Sequence, residues 1–290
     1  MNTLFKRTSS TLLLLGTLSG AVFFPYKIRI ICFLVLCLVL SSGMTWEICQ
    51  MINKDKHLRF INVFSSTIIF AVVITDYILF ERILRVSILE IIIFCLLTWG
   101  LILLLCKKED HMIAVLKNFM VVVSFSVSIK AIMYFYISDN DPTSIPATFL
   151  FFILATKSGD IGAYLFGTLC NTISHGKNHK LIPSVSPGKS WEGFVGGLIF
   201  TLMICLLLIH FLPSNQIGLA HNNYLATTFV GILLFIGGVL GDLSESSIKR
   251  TFGVKDSGYC LPGIGGLFDL TDSLIVNSLV FYLILVFLRS

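Results

Sequence analysis

The chain has 290 residues, 56% of them hydrophobic and 13% charged, whereas soluble domains carry about a quarter charged residues. A mean hydropathy of +0.91 excludes a disordered chain, a secreted disulfide scaffold and a coiled coil, each of which needs a composition this sequence lacks. A net charge of +5, from 21 Lys and Arg against 16 Asp and Glu, is too small an excess to argue for nucleic acid. Spread between apolar spans, it reads as topology signal. The eight cysteines form no CxxC pair and fall mainly in or beside apolar runs, where reduced thiols act as small hydrophobes. The composition therefore predicts an all-α, polytopic integral membrane protein.

A membrane-spanning helix needs about 20 apolar residues. In chain order the candidate runs lie near 8–24, 30–49, 60–80, 86–106, 112–137, 146–168, 191–212, 223–245 and 273–288. The first is the weakest of these nine. Lys6 and Arg7 before its apolar stretch resemble the start of a secretory signal peptide; cleavage or interfacial placement of that segment leaves eight spans. With the N-terminus inside, thirteen Lys and Arg fall in cytoplasmic loops and five outside, as cytoplasmic loops favour. The 138–145 and 213–222 loops hold no Lys or Arg and should face outward. A loose division near residue 145 separates N-terminal helices, 1–145, from a C-terminal region, 146–290. The latter carries the polar cytoplasmic loops 169–190 and 246–272. The 25 Phe are expected to be lipid-facing bulk.

Gly241 to Ser273 interrupts this apolar chain with four Asp, one Glu and three basic residues. Asp242, Ser246 and Lys249 have i, i+4, i+7 spacing, which stacks them on one face of a helix continuing out of the eighth span. Asp269 and Asp272, three apart, share a face at the mouth of the ninth. Carboxylates at a membrane edge are costly to desolvate without cations, and hard cations such as Mg²⁺ take carboxylate and phosphate oxygens together. Lys249, Arg250 and Lys255 supply charge for phosphate, and Gly263, Gly265 and Gly266 let backbone N–H groups approach it. Lys157 and Asp160 read equally as a structural ion pair or as cavity lining, and His175 and His179 as part of a solvated basic loop.

The run Ser246, Lys249-Arg250, Lys255-Asp256, Pro262-Gly263-x-Gly265-Gly266, Asp269, Asp272 resembles the signature of phosphatidate cytidylyltransferases, also called CDP-diacylglycerol synthases. The likeness extends upstream to Asp160, Ala163, Tyr164 and Gly167, and to Ser186-Pro187-x-Lys189-Ser190-Trp191-Glu192-Gly193, covering roughly the C-terminal half. Two positions depart from that pattern: Ile264 stands where the family has His, and Leu270 where it has Arg.

The resemblance implies that CTP and phosphatidic acid become CDP-diacylglycerol and pyrophosphate at the cytoplasmic face of the cell (inner) membrane. It implies Mg²⁺ as cofactor, with a second cation such as K⁺, and a homodimeric assembly among membrane lipids. Asp242 and Asp269 are the leading candidate metal ligands, followed by Asp272 and Asp256, with Ser246 completing the cation sphere. Lys249, Arg250 and Lys255 would hold the triphosphate with Gly263, Gly265 and Gly266 as its backbone cradle, and Lys189 and Trp191 would contact nucleotide or lipid phosphate. Rival readings are an ion-coupled transporter, a CTP-dependent polyprenol or phytol kinase, and a relative impaired through Ile264 and Leu270.

Overall fold

The computed structural model describes residues 3–52, 60, 63, 64, 67, 111–137, 145–175, 178–183, 186–212, 217, 223–260 and 265–289. Among the described residues are seven long helices and one hairpin: α1 (Thr3–Phe23), α2 (Tyr26–Ile52), α3 (His111–Ile137), α4 (Ala147–Ile173), β1 (Lys180–Ile182), β2 (Ser186–Ser190), α5 (Trp191–Phe211), α6 (Tyr224–Thr251) and α7 (Leu267–Arg289). Six of these helices contain segments long and apolar enough to cross a membrane: α2, Met120–Ile137 of α3, α4, α5, α6 and Leu267–Leu288 of α7. The chain is thus an all-α, multi-pass membrane protein. The expected spans at 60–80 and 86–106, and the loops at 138–145 and 213–222, lie largely outside the described residues, as do Gly263 and Ile264.

The chain divides into two units, residues 1–134 with 251–271, and residues 135–250 with 272–290. In the first unit, Pro25 separates α1 from α2; its carbonyl accepts the Arg29 N–H at 2.9 Å, and its missing donor costs nothing at a helix start. Phe125 of α3 meets Phe268, ring centroids 5.8 Å apart.

The second unit is built around close backbone approaches. A Cβ added at Gly193 would stand 2.9 Å from the Ala163 carbonyl oxygen, and one at Gly197 would stand 2.9 Å from that of Gly159. Small residues on α4 and α5 therefore let the two helices touch main chain to main chain, which is how helices associate in lipid, where apolar bulk gives no advantage over acyl chains. A second close approach joins α6 to α7: a Cβ at Gly241 would lie 2.7 Å from the Asp272 carbonyl oxygen and 3.0 Å from Ser273 Cα. Phe135, Phe151, Phe152 and Phe281 fill the centre of this unit, fully buried. Phe281 has ring centroids at 5.0 Å from Phe135 and 5.8 Å from both Phe151 and Phe152. These phenylalanines are core, not the lipid-facing bulk expected from their number, because offset and edge-on ring pairs hold one another in place.

The hairpin is absent from the sequence-based expectation, in which 169–190 is a loop. β1 and β2 pair antiparallel, Lys180 opposite Ser190 and Ile182 opposite Ser186. The hairpin is tied down at both ends. Asn178 donates to the Gly167 carbonyl at 2.9 Å, while Ser190 caps α5 by accepting from Gly193 N–H at 3.1 Å.

Replacing Gly197 with Leu forces side-chain atoms into the Gly159 carbonyl and the Phe235 ring and should lower the thermal unfolding midpoint sharply. Gly16→Ala, with nothing within 4 Å of the new Cβ, should leave that midpoint unchanged or raise it.

Candidate active site

The close approach at Gly241 sets two carboxylates side by side. Asp242 and Glu245, three apart on α6, and Asp272 on α7 offer carboxylate oxygens that all lie within 4.8 Å of one another. Each meets its own lysine from a different element. Lys189 Nζ of β2 is 2.8 Å from Asp242 Oδ2, Lys249 Nζ of α6 is 2.6 Å from Glu245 Oε1, and Lys157 Nζ of α4 is 3.8 Å from Asp272 Oδ1. Lys157 also contacts Asp160 Oδ2 at 3.1 Å and donates to Ser273 Oγ at 2.7 Å. Ser246 donates to Asp242 Oδ1 at 3.4 Å.

A cavity of about 530 Å³ opens beside Asp242, lined on α4 by Asp160 and Tyr164, on the hairpin by Lys180 and Lys189, and on α5 and α6 by Phe194 and Phe235. The Lys189 ammonium is shut away from solvent, and among the described residues no hydrogen-bond acceptor completes it beyond its ion pair with Asp242. A buried cation with donors to spare suits an anionic ligand. Oxygen-only donors in the acidic trio suit a hard cation such as Mg²⁺. The residues present therefore fit a divalent metal beside a phosphate.

The other sequence-predicted residues are placed as follows. Arg250, Lys255 and Asp256 are exposed. Trp191, half exposed, turns its ring edge-on to Phe194 at 5.8 Å. Asp269 is committed to backbone: it accepts from Gly266 N–H at 2.8 Å and from Ser257 N–H at 3.0 Å. Gly265 adopts φ +128°, reachable only without a side chain, and a Cβ there would lie 2.6 Å from Asp269 Oδ2. Gly266 is buried, with Ser257 and Glu47 where a Cβ would go. His179 pairs with Glu192 at 2.8 Å. Desolvation, then the Glu47 charge, push the Cys260 thiol up.

Two acidic residues escape the sequence reading. Glu245 carries a legible signal, since i, i+3 spacing puts it on the same helix face as Asp242. Glu47 carries none. It lies on α2, 210 to 221 residues before the three groups that donate to it, and accepts from Ser257 Oγ, Leu267 N–H and Phe268 N–H at 3.0, 2.9 and 3.0 Å.

Carboxylates, lysines and a cavity thus meet in one helical unit of a multi-pass membrane protein. The chain belongs to the cytidylyltransferase family, whose model matches residues 5–288. It is 43% identical over 141 residues to a phosphatidate cytidylyltransferase of Staphylococcus haemolyticus, covering 49% of this chain and 48% of the relative. It is 32% identical over 242 residues to a phosphatidate cytidylyltransferase of Haemophilus influenzae, covering 79% of this chain and 81% of the relative. A third relative, the uncharacterized protein YnbB of Escherichia coli, is 45% identical over 133 residues, 46% of this chain and 40% of that protein. The matched stretch thus spans about half the length of the first of these relatives and less of the third. Neither the transporter nor the kinase reading is favoured by these likenesses.

Asp272→Asn should weaken Mn²⁺ binding, followed by electron paramagnetic resonance titration, by about tenfold or more. Gly241→Val, which wedges α6 from α7, should do the same with every carboxylate retained.

Proposed function

We propose that this protein is a phosphatidate cytidylyltransferase, converting CTP and phosphatidic acid to CDP-diacylglycerol and pyrophosphate. The observation that carries the reading is the meeting of Asp242, Glu245 and Asp272 beside a cavity walled by Lys189 and Lys180, in a chain of the cytidylyltransferase family. The relatives' names supply the lipid acceptor.

A phosphate monoester is already an anion at neutral pH, so no side chain need remove a proton; the site must align two anions that repel. An oxygen of the lipid phosphate attacks the α-phosphorus of CTP, forming a new P–O bond as the bond to the β-phosphate breaks and pyrophosphate leaves. Asp242, Glu245 and Asp272 would hold a divalent cation such as Mg²⁺, which would supply charge neutralisation at the phosphates. Lys189, already aimed into the cavity, binds a phosphate oxygen. Lys157 steadies Asp272 and Asp160. Lys249, Arg250 and Lys255, with Asp256, Ser246 and the glycines 263, 265 and 266, serve the triphosphate, and Asp269 belongs to the same machinery through the backbone it holds. A second cation such as K⁺ and a homodimer are parts of the same proposal. The setting is the cell (inner) membrane with the cavity facing the cytoplasm, so that CTP arrives from water while the acyl chains stay in the bilayer.

The test is transfer of label from CTP to lipid in purified bilayers. With phosphatidate and Mg²⁺ the wild-type protein should form CDP-diacylglycerol, and Asp242→Ala or Asp272→Ala should lower kcat by about 100-fold or more. Lys189→Ala should raise the KM for CTP by about tenfold. Absence of lipid-linked label with the wild-type protein, or wild-type turnover in Asp242→Ala, overturns the proposal.

A further inference from the structure

We infer that Glu47 of α2 is a positioning residue, which fixes the segment before α7 and so presents Lys255 and Asp256 to the nucleotide. The inference rests on the cytidylyltransferase reading above, since those two side chains gain their role from it.

Glu47 is 4% exposed, and a carboxylate in such apolar surroundings is expensive unless fully bonded. Among the described residues its three hydrogen-bond donors are all neutral and all belong to the 251–271 stretch. Oε1 accepts from Leu267 N–H, and Oε2 accepts from Phe268 N–H and Ser257 Oγ. Leu267 and Phe268 open α7, whose first N–H groups have no partner within the helix. The residue in the capping position, Gly266, has no side chain with which to bond them. Glu47 takes over that task from a distant helix, and its negative charge complements the positive end of the helix dipole.

Asp269, the third residue of α7, closes the arrangement by accepting from Gly266 N–H, the return bond of a capping box. It also accepts from Ser257 N–H at 3.0 Å. Ser257, buried, is thereby pinned twice, at its amide by Asp269 and at its hydroxyl by Glu47. Lys255 and Asp256 immediately precede it and are exposed. A chain anchored at Ser257 has little freedom to scatter the two side chains before it, and ordering paid for in advance strengthens binding.

The glycines carry the imprint of the same carboxylate. A Cβ at Gly258 would stand 2.6 Å from Glu47 Oε1. One at Gly266 would overlap Glu47 Oε2 and Ser257 Oγ. Both positions are emptied by an acidic side chain, independently of any phosphate.

Full-length Glu47→Gln, Glu47→Ala and Ser257→Ala proteins in bilayers test this by amide hydrogen exchange and by steady-state kinetics. Glu47→Gln keeps the volume but turns an NH₂ toward N–H or O–H donors. Its Ser257, Leu267 and Phe268 amides should exchange about tenfold faster, with exchange in α4 and α5 unchanged. The KM for CTP should rise about tenfold while that for phosphatidate holds. Ser257→Ala should move both readouts the same way by a smaller factor, and it carries the test if Glu47→Ala fails to fold. Wild-type exchange and wild-type KM for CTP in Glu47→Gln overturn the inference. So does a uniform loss in which α4, α5 and both KM values change together, the mark of general destabilisation. Should the wild-type protein transfer nothing from CTP, the functional reading fails, while the exchange measurements still decide whether Glu47 fixes the segment.

Discussion

Mutual repulsion among Asp242, Glu245 and Asp272 is the constraint on which the second unit depends. Carboxylate oxygens within 4.8 Å of one another belong to groups that repel when ionised, and unit charges about 5 Å apart do so by about 3 kcal/mol at an effective dielectric near 20. Isolated carboxylates under that load would take up protons or move apart. Here the backbone prevents movement, because α6 and α7 are locked where Gly241 lies against the Asp272 carbonyl. Compensation has to come from outside the trio, and it does so as three lysines from β2, α4 and α6. The glycine spacing and the charge pairing are thus two halves of one device: the first forces the carboxylates together, and the second makes that tolerable.

The hairpin has a place in the same logic. Lys189 could not reach Asp242 from a solvated loop without losing much side-chain freedom. Carried on β2, with Asn178 bonded to the end of α4 and Ser190 capping α5, it starts from a fixed base. Packing at Gly193 and Gly197 then fixes α5 on α4. The first unit uses charge differently, since Glu47 and Asp269 accept from backbone N–H groups.

Much of this was legible in the chain. Composition set the class, and the apolar runs at 30–49, 146–168, 191–212 and 223–245 fall within α2, α4, α5 and α6 apart from single residues at their edges. The helix ends are less faithful. α7 begins at Leu267, well before the expected 273, because Asp269 and Glu47 cap a first turn that hydropathy alone reads as loop. The hairpin was hidden because Ser186-Pro187-Gly188-Lys189 has turn composition and no alternating apolar residues, so its strand character comes from tertiary bonds. Asp242 and Asp272 stood out as charges in an apolar chain. Their partner Glu245 could have been found from helical periodicity, and the small-residue spacing on α4 and α5 from the packing habits of membrane helices. Glu47 could not, because nothing local distinguishes it from an interfacial carboxylate; its meaning lies in contacts two hundred residues away.

The ion pair between Lys189 and Asp242 carries a thermodynamic implication for the proposed chemistry. At rest each is the other's counter-ion, so neither is fully available to a ligand. A cation that draws off the Asp242 charge releases the ammonium, and an anion that engages the ammonium releases the carboxylate. The two ligands must then favour each other's entry by equal factors, since coupling between binding equilibria is reciprocal.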